Sequence, residues 1–341
     1  MAVVTQTLRI GVLGVGRIGR MHAELLARQV PGAAVTAVYD AYEPTAREVA
    51  ARLGVPAAET AAELIAAPDV DAVAICTPTA FHADQIVAAA QAGKVVFCEK
   101  PVSLDLATMD RALAVVESAG VPFQIGFNRR FDPAHAAVAA AVGDGTVGEP
   151  HIARITSRDP DPPPVEYARG SGGLFLDMTI HDFDMARFVI CSEIEEVYAR
   201  AAVRVDPALA GVGDVDTAVI TLVHANGCLT TIDNSRRARY GYDQRVEVFG
   251  SEGMAASANP LGHTAQVATA AGTTSATLPY FFLDRYIPSY LREWEAFVRA
   301  VSTGVPTAVG VRDARAPLVA GLAAWISVRE RRPVKTAEVT A

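Results

Sequence analysis

A chain of 341 residues, 51% apolar and 20% charged, is long enough for about two domains with buried cores. Its formal net charge of −8 argues against nucleic acid or an anionic membrane as a partner, and no apolar run approaches the ~20 residues that span a bilayer. The cysteines, Cys76, Cys98, Cys191 and Cys228, are scattered without a CxxC pair or zinc-ligand spacing, as expected of free thiols in a reducing compartment. The opening MAVVTQTL carries no basic leader and runs straight into a strand pattern, so a cytoplasmic protein is expected.

Strands predicted at 8–13, 35–39, 72–76, 95–98 and 123–125 alternate with helical patterns, among them 18–29, 44–53 and 80–92. Short apolar strands alternating with helices specify βαβ units and a parallel sheet covered on both faces. The pattern changes after Gly126. A helix at 133–142 is followed by strand runs at 151–157, 196–205, 218–224, 228–234 and 246–250, with Asn226-Gly227 as a hairpin turn. That succession specifies an antiparallel or mixed sheet. Helices at 289–302 and 312–331 close the chain; Leu291, Trp294, Phe297, Val298 and Val301 form a core stripe on the first. The expected division is 1–125 and 126–341, an α/β chain throughout. The segment 159–173, DPDPPPVEYARGSGG, is a Pro-then-Gly loop, read as either a pocket edge or an inert connection.

The first strand runs into Gly14-Val15-Gly16-Arg17-Ile18-Gly19, a GxGxxG turn followed by a helix. Gly14 permits the tight turn, Gly16 lets backbone approach a pyrophosphate, and Gly19 allows the helix to pack on the strand. Arg17 and Ile18 open the helix whose N–H groups and dipole meet the phosphates. Asp40 closes the next strand, where a carboxylate binds ribose hydroxyls and repels a 2′-phosphate. These features specify a Rossmann domain holding NAD rather than NADP. Thr77 and Pro78 follow the third strand, at the edge where ligands gather, and are assigned to the cofactor. His22 and His82 fall on early helical turns and are read as structural.

Glu99-Lys100-Pro101 ends the fourth strand. Of 30 basic residues only Lys94, Lys100 and Lys335 are lysine. An ammonium at that edge can donate to a substrate hydroxyl and stabilise an alkoxide. From Leu174 the run LFLDMTIHDFD is predicted as one helix, placing Asp177, His181 and Asp184 along one face. An imidazole is a suitable base for an alcohol proton, and a nearby carboxylate can orient it. Asp177, His181 and Asp184 could also point toward a metal; hydride transfer needs none, no cysteine or second histidine is close, and no metal is expected.

Together GVGRIG, EKP, GFNRRFDP (126–133), SRDP (157–160) and SGGLFLDMTIHDFDMARF (171–188) resemble the Gfo/Idh/MocA oxidoreductase family over nearly the whole chain. SRDP, DMTIHDFDM and YGYDQRVEVFGSEG (240–253) are similar to its inositol-oxidising branch. The resemblance implies an N-terminal Rossmann domain and a C-terminal α/β domain with an open, mainly antiparallel sheet, assembled as a homotetramer. It implies Lys100, Asp177 and His181 as catalytic residues and Glu99 and Lys100 at the cofactor. Arg129, Asp159 and Tyr242, with Lys100, Asp177 and His181, would contact a small polyol or sugar. The implied activity is NAD-dependent oxidation of a ring hydroxyl of a cyclitol, myo-inositol to its 2-keto product. A pyranose, anhydrosugar or inosamine substrate, or a non-catalytic NAD-binding regulator, are the alternatives.

Overall fold

A computed structural model describes residues 7–341; the part of the expected leaderless start that falls on residues 1–6 lies outside them. The described residues form two compact units, one of residues 7–128 with Tyr290–Ala316, the other Arg129–Ser289 with Pro317–Thr340.

The first unit carries β1 (Leu8–Leu13), α1 (Arg17–Arg28), β2 (Ala33–Tyr39), α2 (Glu43–Leu53), α3 (Ala61–Ala66), β3 (Ala72–Ile75), α4 (His82–Gln91), β4 (Val95–Glu99), α5 (Leu106–Ala119) and β5 (Phe123–Gly126). The sheet order is β2-β1-β3-β4-β5, parallel throughout. β3 is buried at every residue, as a strand covered on both faces must be. The connections go one way from β1 to β2 and the other way to β3. This reversal opens a crevice at the carboxyl ends of β1 and β3, where such sheets bind ligands.

The second unit carries α6 (Pro133–Gly143), β6 (Pro150–Arg158), α7 (Val165–Gly170), α8 (Gly173–Asp177), α9 (Ile180–Ile190), β7 (Ile194–Ala202), β8 (Thr217–His224), β9 (Leu229–Ser235), β10 (Asp243–Gly250) and β11 (Met254–Ser257). An exposed hairpin of β12 (Gln266–Thr269) and β13 (Gly272–Ser275) follows; then come α10 (Phe282–Thr303) and α11 (Val311–Glu330), each divided between the units, the first unit holding Tyr290–Ala316, and β14 (Val334–Lys335) of the second. The large sheet has the order β11-β10-β6-β9-β8-β7-β14; only the β6–β9 pairing is parallel. Its strands alternate. Ala153, Ile155, Ile220, Ile232, Val246 and Val248 share a core with Phe183 and Val189 of α9. The opposite face presents Phe249, Ile152 and Leu229 in one cross-strand row, all exposed.

Two expectations are corrected. The stretch 173–190 is not one helix. The N–H groups of Met178 and Thr179 both donate to the Leu174 carbonyl, and the Thr179 hydroxyl is drawn off to Asn234 on β9. The run breaks there, so Asp177 ends α8 while His181 lies in the first turn of α9, and the shared-face argument does not apply. The division of the chain also differs from a cut at 125/126, because Tyr290–Ala316 belongs to the first unit. The stripe on α10 is core as expected, but its partners are Ile10 and Phe97 of the parallel sheet. Trp294 lies 4.1 Å from Phe97 between ring centres, and Phe297 lies 5.8 Å from it.

Phe297→Ala is therefore expected to destabilise the first unit by about 3–5 kcal/mol through lost burial and a residual cavity. Urea titration followed by Trp294 fluorescence checks this; a loss below about 1 kcal/mol would show that the stripe is dispensable.

Candidate active site

The nucleotide turn is built by close packing. Gly14 has φ +81°, and its amide donates to the Tyr39 carbonyl at 2.7 Å. A Cβ on Gly14 would lie 2.7 Å from the Thr77 backbone, and one on Gly19 would lie 1.7 Å from the Gly14 carbonyl oxygen. The fold itself thus requires both glycines. Gly16 differs, because a Cβ there meets nothing within 4 Å. Nothing in the surrounding chain demands glycine at 16, so its backbone is open to close approach from outside the chain. Gly16 is also the N-cap of α1 and, having no side chain, supplies no side-chain cap.

Asp40 stands beside this turn. Its Oδ2 accepts from Val15 N–H and its Oδ1 from Tyr42 N–H, both at 2.9 Å. Each oxygen keeps a lone pair for a ribose hydroxyl. At the adjoining strand end the Thr77 hydroxyl donates to Gln85 at 2.6 Å. These residues fit a dinucleotide: a glycine whose Cβ would enter an open cradle, an uncapped helix start and an anchored acid.

The EKP turn is held by two histidines that the sequence reading left as structural. His22 Nε2 lies 2.8 Å from Glu99 Oε1, and Glu99 Oε2 accepts from the Lys100 amide at 3.2 Å. His82 Nδ1 lies 2.8 Å from the Pro101 carbonyl and its Nε2 2.6 Å from the Thr77 carbonyl. Burial pushes the His82 imidazole below its usual range, against the raising pull of those two carbonyls. The Lys100–Pro101 peptide is cis.

The second unit gathers the remaining charged residues. Asp177 Oδ1 accepts from the Tyr167 hydroxyl at 2.9 Å, and Oδ2 faces both terminal nitrogens of Arg236 at 3.3 and 3.4 Å. Arg236 is buried and lies 3.7 Å from Asp214. Asp214 accepts from the Leu174 amide at 2.8 Å, and a Cβ on Gly173 would come within 2.6 Å of it. That contact and a φ of +74° account for the second glycine of SGG.

Arg129 donates to Asp182 at 2.8 Å, to Ser157 at 3.2 Å and to the Tyr242 hydroxyl at 3.3 Å. Asn234 donates to the other Asp182 oxygen at 2.8 Å. Burial raises the Asp182 carboxyl despite Arg129, Asn234 and Ser157. Asp159 lies in the same field. Burial pushes its carboxyl up to about 6, against Arg236 and Arg129 and with the push of Asp177 and Asp182. Asp184 pairs with Arg130 at 2.6 Å and is buried, so it serves the core rather than continuing an active stripe. Among the described residues no group of three or more His, Cys, Asp or Glu is placed to hold a metal, and no helix is long and apolar enough to cross a membrane.

The sequence reading missed Tyr167, Asp182, Asn234 and Arg236. A signal for two of them existed. On β9 Thr230, Ile232 and Asn234 alternate on the buried side, and the alternation continues to Arg236. A buried amide and guanidinium ending such a strand must find partners.

A parallel sheet with a glycine turn and an acid on the next strand defines an NAD-binding Rossmann domain. Residues 8–127 match the Gfo/Idh/MocA oxidoreductase family with its NAD-binding Rossmann fold, and 135–256 match the C-terminal domain of that family. The chain belongs to the Gfo/Idh/MocA family. It is 49% identical over 333 residues to a myo-inositol 2-dehydrogenase of Thermotoga maritima, covering 97% of this chain and 99% of that protein. It is 45% identical over 331 residues to an inositol 2-dehydrogenase of Rhizobium meliloti, covering 97% and 100%. A scyllo-inositol dehydrogenase of Lactobacillus casei, solved with bound NAD(H) and scyllo-inositol, superposes with a TM-score of 0.91 at 29% identity, covering 97% and 100%.

Two outcomes are expected. Gly16→Val folds normally but weakens NADH binding at least tenfold, about 1.4 kcal/mol, as measured by calorimetry; unchanged affinity would remove the cradle. For Asp159, a folded pKa near 6 against the ordinary 3.8 means stability present below about pH 4 and lost as pH rises through 6. Asp159→Asn should therefore raise Tm relative to wild type more at pH 8 than at pH 4; equal shifts at both pH values would contradict the assignment.

Proposed function

We propose that this chain oxidises a ring secondary hydroxyl of a cyclitol, with myo-inositol giving its 2-keto product. The observation that carries the reading is the end-to-end match, at 49% identity, to a myo-inositol 2-dehydrogenase. NAD, when bound, supplies the hydride acceptor; Gly14, Gly16, Arg17, Ile18, Gly19, Asp40, Thr77, Pro78, Glu99 and Lys100 are the residues proposed to hold it.

In this reading His181 removes the hydroxyl proton, as an imidazole can near neutral pH. Lys100 donates to the same oxygen and stabilises the alkoxide as charge develops. Asp177, fixed between Tyr167 and Arg236, orients a hydroxyl or the imidazole. Asp159, Arg129 and Tyr242 are proposed to contact the remaining hydroxyls. A site that hydrogen-bonds each hydroxyl rejects analogues lacking one, since its own buried polar groups are then left unpaired. A homotetramer is proposed as well, supported by the exposed row of Phe249, Ile152 and Leu229 on the large sheet.

The test is NADH formation with a panel of inositols, glucose, an anhydrosugar and an inosamine, with NAD and with NADP. An inositol with NAD should be fastest. A pyranose exceeding every inositol would overturn the substrate, and NADH binding without turnover of any member would favour a regulator. His181→Ala should lower kcat by about 10²–10⁴-fold with cofactor affinity kept; near wild-type turnover would remove the proposed base.

A further inference from the structure

We propose that His22 is a positioning residue for the Lys100 turn, a buried imidazole locked into one tautomer that acts as a permanent donor to Glu99. The inference rests on the reading of Lys100 given above and adds a mechanism for its placement.

The lock comes from Trp294. Its indole Nε1–H lies 2.8 Å from His22 Nδ1. An indole nitrogen only donates, so Nδ1 must present its lone pair. In a neutral imidazole the proton then sits on Nε2, the atom 2.8 Å from Glu99 Oε1. The direction of the second hydrogen bond is thus dictated by the first. Trp294 donates to His22, and His22 donates to Glu99.

The ring has no freedom to escape this assignment. His22 and Trp294 are both 0% exposed. Phe97, Tyr290 and Trp294 meet the imidazole edge-on at 5.5, 5.3 and 5.5 Å. Rotating it would put a protonated nitrogen against the indole N–H or a lone pair against the carboxylate, and neither can be solvated there.

The consequence reaches the turn through Glu99. One oxygen is held by His22, and the other accepts from the Lys100 amide at 3.2 Å. Across the sheet the register partner of Glu99 is Gly126, where a Cβ would approach Glu99 Cδ and Oε2 to 3.2 Å. The carboxylate therefore has a donor on each oxygen and a glycine-sized space beside it. Lys100 leaves the sheet from an amide fixed by that carboxylate, and His82 Nδ1 lies 2.8 Å from the carbonyl of the next residue, Pro101. A space-filling histidine would need none of this directionality.

Four measurements on the full chain test the proposal. The imidazole nitrogen NMR spectrum should show His22 protonated on Nε2 alone, and Trp294→Phe should release it into a tautomer mixture. His22→Leu keeps the bulk but loses the donor, and kcat should fall about 100-fold with substrate KM little changed, as for a displaced catalytic group. His22→Gln restores an N–H donor and should recover most of that loss. A proton on His22 Nδ1, or equal turnover by the Leu and Gln variants, would overturn the proposal. Lys100→Met with full activity would sink the reading of Lys100 instead, while the nitrogen spectrum would still decide the lock. Should wild type reduce NAD with no polyol, the comparison of the two variants passes to NADH affinity, where Leu should be weaker than Gln and equality overturns the proposal.

Discussion

The closest constraint in the first unit is steric: α1 crosses the turn after β1 so tightly that only hydrogen fits at Gly19, and Gly14 is pressed against the Cys76-Thr77 backbone that follows β3. That crossing sets the start of α1 at the carboxyl ends of β1 and β3, where the strand order reverses. Much of the site depends on the placement it forces. The uncapped N–H groups, the Asp40 carboxylate tied to Val15 and the Thr77 loop all meet at this point. Gly16 adds a feature that packing alone does not explain, a backbone position left bare toward open space. The scaffold requires glycine at 14 and 19 but not at 16.

The second unit is governed by electrostatics of burial. Removing a charge from water costs several kcal/mol unless partners replace the solvent. Arg129, Asp182 and Arg236 are almost wholly buried, and each faces an opposite charge. Asp159 is the acid this network compensates least, which is why its carboxyl rises toward neutrality while Asp177 keeps a donor on each oxygen. A set of fixed donors and acceptors suits recognition of a ring bearing many hydroxyls.

What could be read from the sequence was local or repetitive. Strand–helix alternation gave the parallel sheet, and the glycine spacing with Asp40 gave the nucleotide turn. Features set by distant partners were hidden. The helix break at Met178-Thr179 depends on Asn234, far along the chain on β9. The destination of the α10 stripe depends on Phe97, since an apolar face does not name the core it enters. His22 carries no signal for its role in a helical run; only the approach of Trp294 and Glu99 from opposite sides reveals it. Arg236 was legible in principle, because the buried alternation of β9 continues through it.

Hydride transfer from a ring carbinol is the claim on which the functional account stands. The most direct measurement uses a cyclitol deuterated at its carbinol carbons, incubated with the full chain and NAD, with the recovered dinucleotide examined by NMR. The account predicts reduced NAD carrying one deuterium at the nicotinamide C4, formed more slowly than from the unlabelled compound. Reduced NAD without label, or none formed while the dinucleotide binds, would contradict it.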